Sequence, residues 1–219
     1  MYIKTLEKVT SRYAPSRVLS FDIVHVFTAL QTIVKNNNKT SRNTLCMALA
    51  LGEGTVKTLV KHLKMQGLIE TSNMGTKLTA KGKNICEGLI AAIPAEMSLP
   101  KCSVALSKFN YAVLVREFGF AVGLGIEQRD AAIKMGAAGA TTLLFKDNKF
   151  VMPANNEDSL KKEGEIRRML VEKLSPREGD VIIIGSANNN EKTAELGAKN
   201  AALLTIFRHE KHQRRHHGV

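Results

Sequence analysis

Apolar residues recur at three- and four-residue steps through the first part of the chain and give way to short β-branched runs in the second. Helices and strands follow from those two periods. Ser20 is placed to cap a helix through Val34, since Ile23, Val26, Phe27, Leu30, Ile33 and Val34 share one face. Asn36-Asn37-Asn38 ends that helix. Ser41 caps a short second helix carrying Leu45, Met47 and Leu49, and Leu51-Gly52-Glu53-Gly54 makes a turn. A third helix, Gly54 to Gln66, turns Val56, Leu59, Val60 and Leu63 inward and leaves Lys57, Lys61 and Lys64 outside, and Gly67 stops it. Leu68–Thr71 and Thr76–Thr79 are two short strands joined across Ser72-Asn73-Met74-Gly75, and Ala80 to Ile93 is a closing helix. The order helix, helix, helix, hairpin, helix is that of a winged helix-turn-helix.

Pro94 and Pro100 end this pattern and place a domain boundary near residue 100. Beyond it the elements interleave. Phe109–Val115, Thr141–Phe145, Phe150–Met152, Asp180–Gly185 and Ala202–Phe207 read as strands, and Ile126–Met135, Glu157–Leu174 and Asn190–Lys199 as helices. The expected fold is a two-domain α+β / α/β chain. An N-terminal winged helix-turn-helix (1–100) is followed by a small α/β domain with a mixed sheet (101–207). The segment 208–219, basic, rich in histidine and without apolar periodicity, is expected to be a disordered tail.

Charge sharpens the reading. The net charge of +12 is uneven: residues 1–103 hold 14 Lys/Arg against 6 Asp/Glu, residues 104–206 hold 14 against 13, and 207–219 hold 4 against 1. A polyanion is therefore expected on the N-terminal half and the tail. Aromatic residues are only 5% with no Trp, which argues against a stacking platform for single strands and for double-stranded DNA. No apolar run has the ~18–20 residues of a membrane span, and the first residues lack a signal-peptide core, so a soluble, cytoplasmic, nucleoid-associated chain with no membrane partner is expected.

A helix fits the B-DNA major groove, and the polar residues of its N-terminal half reach base edges. On the third helix these are Glu53, Thr55, Lys57, Thr58, Lys61, His62 and Lys64. Ser41, Arg42 and Asn43, at the start of the helix before it, suit backbone phosphate. Asn73, Thr76 and Lys77 suit contacts from the hairpin. The stretch Leu51-Gly52-Glu53-Gly54-Thr55-Val56-Lys57 through Gly67-Leu68-Ile69, with Leu78-Thr79-Ala80-Lys81-Gly82, resembles the recognition helix and wing of prokaryotic winged-helix transcription regulators over about residues 20–92. An alternative leaves these lysines as a solvated face of a protein-interaction module.

In the second half, the glycine-containing loop before Ile126 presents backbone amides to an anion. Gly125, Arg129, Asp130 and Thr141 are candidates there. Arg129 and Asp130 are adjacent, and adjacent helix positions do not share a face, so no single surface ion pair is expected between them. Gly185, Ser186, Asn188 and Asn189 lie where an apolar strand runs into a helix, the usual ligand end of an open α/β sheet. Asn189 or Asn190 equally serves as a cap. Together these define a candidate site for a small anionic effector. The segments Ala112–Arg116, Gly125–Ala132, Gly139–Leu143, Met152-Pro153 and Gly185–Ala187 resemble an archaeal family that joins a winged helix to an α/β domain of unassigned function.

Catalytic and metal motifs are absent from the sequence, and no cofactor is expected: there is no nucleophile elbow and no His-Glu-x-x-His. Cys46, Cys86 and Cys102 form no Cys-x-x-Cys pair and read as core or boundary residues. The histidines at 209, 212, 216 and 217 fit a phosphate-binding arm better than a metal site. The function expected is a homodimeric DNA-binding transcription regulator whose second domain senses a small ligand. Two alternatives remain: a bifunctional protein with an enzyme acting on a phosphorylated metabolite, and a nonspecific architectural chromatin protein.

Overall fold

The structure, a computed structural model, describes residues 2–11, 19–105 and 107–216, and side chains up to 207. The chain divides into two compact units, Met1–Ile90 and Ala91–Val219.

The first unit is built on α1 (Tyr2–Thr10), α2 (Ile23–Lys35), α3 (Arg42–Leu49), α4 (Glu53–Met65), the hairpin β1 (Ile69–Ser72) and β2 (Gly75–Leu78), and α5 (Ala80–Ala92). Asp22, rather than Ser20, caps α2: its carboxylate accepts the Ile23 N–H, and its own N–H donates to His25 Nδ1 at 2.9 Å. Ser41 caps α3 as expected, with its Oγ accepting the Thr44 N–H at 3.0 Å. Helix α1 packs on α2 and α4 and buries Ile3, Leu6 and Val9. Phe27, Leu30, Ile33, Leu45, Leu49, Val56, Leu59 and Leu63 complete the core.

Burial holds the His25 imidazole below its ordinary value of 6.5, and the nearby Asp22 offsets part of that effect. The unfolded chain gains a proton near pH 6.5 while the folded chain resists one. The corresponding stability is present above that pH and is lost as pH falls below it. A His25→Gln variant, whose amide can still accept the Asp22 N–H, is therefore expected to lose less stability than the parent between pH 7 and pH 5. Urea midpoints at the two pH values measure the difference.

The second unit carries β3 (Glu96–Leu99), β4 (Phe109–Val115), α6 (Ile126–Ile133), β5 (Gly139–Lys146), β6 (Lys149–Val151), α7 (Gly164–Leu174), β7 (Val181–Ala187) and α8 (Glu191–His216). Its five strands lie in the order β3-β4-β7-β5-β6. The winged helix followed by an α/β domain is the fold class expected. At the finer level of strand direction, the four pairings are each antiparallel, where a mixed sheet was expected.

Ala112, Leu114, Leu143, Phe145, Ile182 and Ile184 point to one face of this sheet, which Leu160, Leu170 and Leu174 cover. Helices α6 and α8 cover the other. Gly185 permits the close approach of α8, because a Cβ there would lie 2.4 Å from the Ala194 carbonyl oxygen. The strand expected over 202–207 is instead the middle of α8, and the segment expected to be a disordered tail continues the same helix through His216. Ala194, Ala198, Ala201 and Ala202 are buried along it, and a run of alanines with no proline favours continuation. Helix α7 begins at Gly164 rather than Glu157, because Asp158 pairs with Val151 beside the sheet.

The second unit also buries charge. Lys199, only 1% exposed, lies 2.9 Å from Glu96 and 2.7 Å from Glu195, with its Nζ 6.0 Å from the Tyr111 ring centre. Burial, then the charges of Glu96, Glu195 and Glu191, push the Tyr111 hydroxyl far up from its ordinary value.

Candidate nucleic-acid interface

Helix α4 is amphipathic by construction. Val56, Leu59 and Leu63 fall on the buried side, so Lys57, Lys61 and Lys64, one turn apart, stand exposed on the opposite side. Gly52 begins the helix without a side-chain cap, and a Cβ added at Gly52 or Gly54 would meet nothing within 4 Å. On either side of Glu53, the backbone at Gly52 and Gly54 is therefore open to a close approach.

Beside this face lies a groove of about 390 Å³ lined by Arg42, Lys57, Val60, Lys61, Lys64, Met65 and Thr71. Four cationic side chains line it together with the apolar Val60 and Met65. Arg42 makes an ion pair with Glu53 at 3.4 Å, with both side chains at least half exposed. Such a pair contributes little to stability and opens readily. Lys64 Nζ donates to Thr71 Oγ1 at 3.1 Å, which turns it toward the hairpin. On the hairpin, Lys77 pairs with Glu70 at 3.1 Å and Asn73 is exposed at the tip.

The structure brings Arg42, Glu53, Lys57, Lys61 and Lys64 together, with Ser41 and Asn43 exposed at the start of α3. Thr55 and Thr58 are half-buried on α4, and the Thr58 hydroxyl donates to the Gly54 carbonyl at 3.1 Å. Two expected contacts are corrected. His62 is buried on the core side of α4, its Nδ1 2.7 Å from the Val9 carbonyl oxygen and its ring edge-on to Phe21. Thr76 is buried too, with its backbone bridged to Thr40. Val60, expected in the core, instead lines the groove. Met65 and Thr71 were not expected there. Met65 follows from the helical wheel, whereas Thr71 enters only through the pairing of the hairpin.

The His62 correction has a measurable consequence. His62→Ala is expected to lower the stability of the first unit by about 2–4 kcal/mol, as truncation of a packed core side chain does, while leaving base preference unchanged. Urea denaturation and selection of bound DNA from the variant measure the two separately.

The candidate anion site of the second unit is dispersed. Thr141 pairs with Ile184 and points to the α7 face of the sheet, away from Gly125. Its neighbour Thr142 is the one that touches Gly125, which follows from the two-residue period of a strand. Gly185 lies inside β7 as expected, Ser186 joins it there rather than in the loop after it, and the buried Ser186 hydroxyl donates to Asn110 Oδ1 at 2.7 Å. Asn190 caps α8 by accepting the Thr193 N–H at 2.8 Å, and Asn189 donates to the Thr193 hydroxyl. Asn188 is exposed. Arg129 and Asp130, expected to stand apart, form an exposed ion pair at 3.3 Å, because the long guanidinium arm can fold over to the adjacent carboxylate. Among the described residues no group of three or more His, Cys, Asp or Glu side chains is arranged to hold a metal ion. The side chains of the histidine-rich segment 208–219 lie outside the described residues.

Helices packed on a shared core, one of them with a cationic exposed face, and a hairpin wing make the first unit a winged-helix domain, here followed by a separate α/β unit. Residues 24–93 match the family model described as the CggR N-terminal DNA binding domain. Residues 106–206 match the model described as a domain of unknown function, DUF4443. A solved structure described as a hypothetical protein from Pyrococcus horikoshii OT3 is similar over 84% of this chain and 92% of its own, with 27% identity and a TM-score of 0.65. No curated protein matches the chain. These matches support a two-domain DNA-binding regulator. No helix among the described residues is long and apolar enough to cross a membrane.

Proposed function

We propose that the protein is a sequence-selective transcription regulator in which residues 1–100 bind double-stranded DNA and residues 101–207 pair two copies and respond to a small, anionic effector. The observation that carries the DNA-binding part is the groove beside α4, lined by Arg42, Lys57, Lys61 and Lys64. Lys57 and Lys61 stand at the centre of the exposed face and enter the major groove; Arg42 and Asn43 take the adjoining phosphates. Two copies would address half-sites separated by ~34 Å or a multiple of it. An effector that changes affinity tenfold supplies about 1.4 kcal/mol of coupling between the units.

The test is selection of bound fragments from random and genomic DNA at ~150 mM salt, where nonspecific phosphate contacts are already weakened. Recovery of an inverted repeat supports the dimeric regulator. A single asymmetric motif retains sequence selection and removes the dimer, and uniform recovery removes both.

A further inference from the structure

The hairpin tip holds a residue that neither turn chemistry nor packing explains. Strands β1 and β2 close on the pair Ser72 and Gly75, leaving Asn73 and Met74 at the end of the wing. Met74 is 72% exposed, the highest value among the large apolar side chains of the described residues. Hairpin tips favour Gly, Asn, Asp and Ser, whose side chains or backbone freedom serve the turn, and methionine offers neither. Asn73 and Gly75 already supply that chemistry here, and the Met74 backbone N–H is held by Ser72 Oγ at 3.2 Å.

The tip is also firmly seated. The Thr76 backbone bridges Thr40 in both directions, at 3.2 and 2.9 Å, and Asn38 Oδ1 accepts the Leu78 N–H at 3.2 Å. Gly75, at φ +115°, packs so closely that a Cβ would lie 3.1 Å from the Thr40 carbonyl oxygen. The exposed Lys39 and Lys77 stand at the base of this hairpin and Asn73 beside its tip. An apolar probe on a braced arm, flanked by amide and ammonium groups, has the chemistry of side chains that enter the minor groove and part a base step.

We propose that Met74 is such a wedge: with α4 in the major groove, its side chain enters the neighbouring minor groove, partly unstacks one base step and bends the duplex. This rests on the DNA-binding reading above and adds to it a sequence preference that needs no hydrogen bond to a base. Pyrimidine–purine steps unstack most easily, so one of them is expected under the wing, and a stiff A-tract is disfavoured there.

The experiment uses the full chain and a recovered duplex of ~30 bp carrying a dye at each end, read by energy transfer and by titration. The parent protein is expected to shorten the end-to-end distance. Met74→Ala is expected to bind about 10-fold more weakly and leave the duplex straighter, whereas Met74→Leu, still an apolar wedge, keeps both properties. Replacing the step under the wing by an A-tract is expected to weaken the parent and leave Met74→Ala unaffected. A Met74→Ala protein that bends and binds as the parent does overturns the wedge, as does a parent that binds its duplex without bending it. In both of those cases DNA binding itself stands; a parent that retains no duplex overturns that reading as well.

Discussion

Replacing Lys57 and Lys61 together by alanine is expected to weaken binding to a selected duplex by roughly 100-fold at ~150 mM salt, and to reduce the slope of log affinity against log salt by about two. Both ammonium groups stand on the solvent side of α4, away from Val56, Leu59 and Leu63, so their removal leaves the core untouched and the unfolding midpoint unchanged. The single variants assign roles. A lysine that meets phosphate lowers affinity uniformly across sequences, whereas one that meets a guanine edge relaxes preference at one position of the site. Lys64, tied to Thr71, is expected to matter less than either. Titrations of the single and double variants at several salt concentrations measure this, and an undiminished affinity in the double variant removes α4 from the interface.

How far this interface was legible depends on which residues faced solvent by period alone. The spacing of Lys57, Lys61 and Lys64 against Val56, Leu59 and Leu63 placed the lysines without ambiguity. His62 lies on the same helix, but its place depends on α1, whose Val9 carbonyl receives the ring. Helix α1 itself was not expected: nine residues are marginal as an isolated helix, and its Ile3, Leu6 and Val9 become ordered by packing on α2 and α4. The position of Thr76 on the wing points it to the DNA side, whereas its burial, beside the backbone bridge to Thr40, shows that it faces inward.

The second unit was legible in its central strands and not at its margins. Phe109–Val115 was read at its observed bounds because a β-branched and aromatic run has one reading. Glu96–Leu99 has no such composition and sits between prolines, yet it forms a strand at the sheet edge, where flanking prolines remove no ladder bond. Ala202–Phe207 is a short apolar run with both helical and extended readings, and the run of small residues before it settles the matter in favour of α8. The dispersal of the expected effector residues has a related cause. Placing the end of β7 two residues early, at Gly185 rather than Ala187, made a loop out of two residues that belong to the sheet.

Replacing Asp180 by alanine is expected to destabilise the second unit by about 3–5 kcal/mol, the usual result of removing one partner from a buried ion pair. Asp180 is fully buried at the foot of β7, and its carboxylate accepts from the Arg116 guanidinium, from the Glu117 N–H at 2.8 Å and from the Arg177 N–H at 2.7 Å. Its own carbonyl accepts the Phe145 N–H at 2.9 Å. One side chain thus joins the end of β4 to the start of β7 and holds Glu117 at φ +57°, a conformation that a residue with a Cβ adopts only under constraint. Alanine would leave a largely buried guanidinium and two backbone donors without their acceptor, and each such donor costs about 1–3 kcal/mol when water does not replace the lost bond. The melting transition of the second unit should fall by on the order of 10–20 °C. Asp180→Asn should fall between the two, because its amide oxygen still accepts one N–H but carries no charge for Arg116. Differential scanning calorimetry of the parent and both variants gives the order directly. An alanine variant that melts with the parent would mean that Arg116 and the two amides find water instead, and that this carboxylate does not hold the loop.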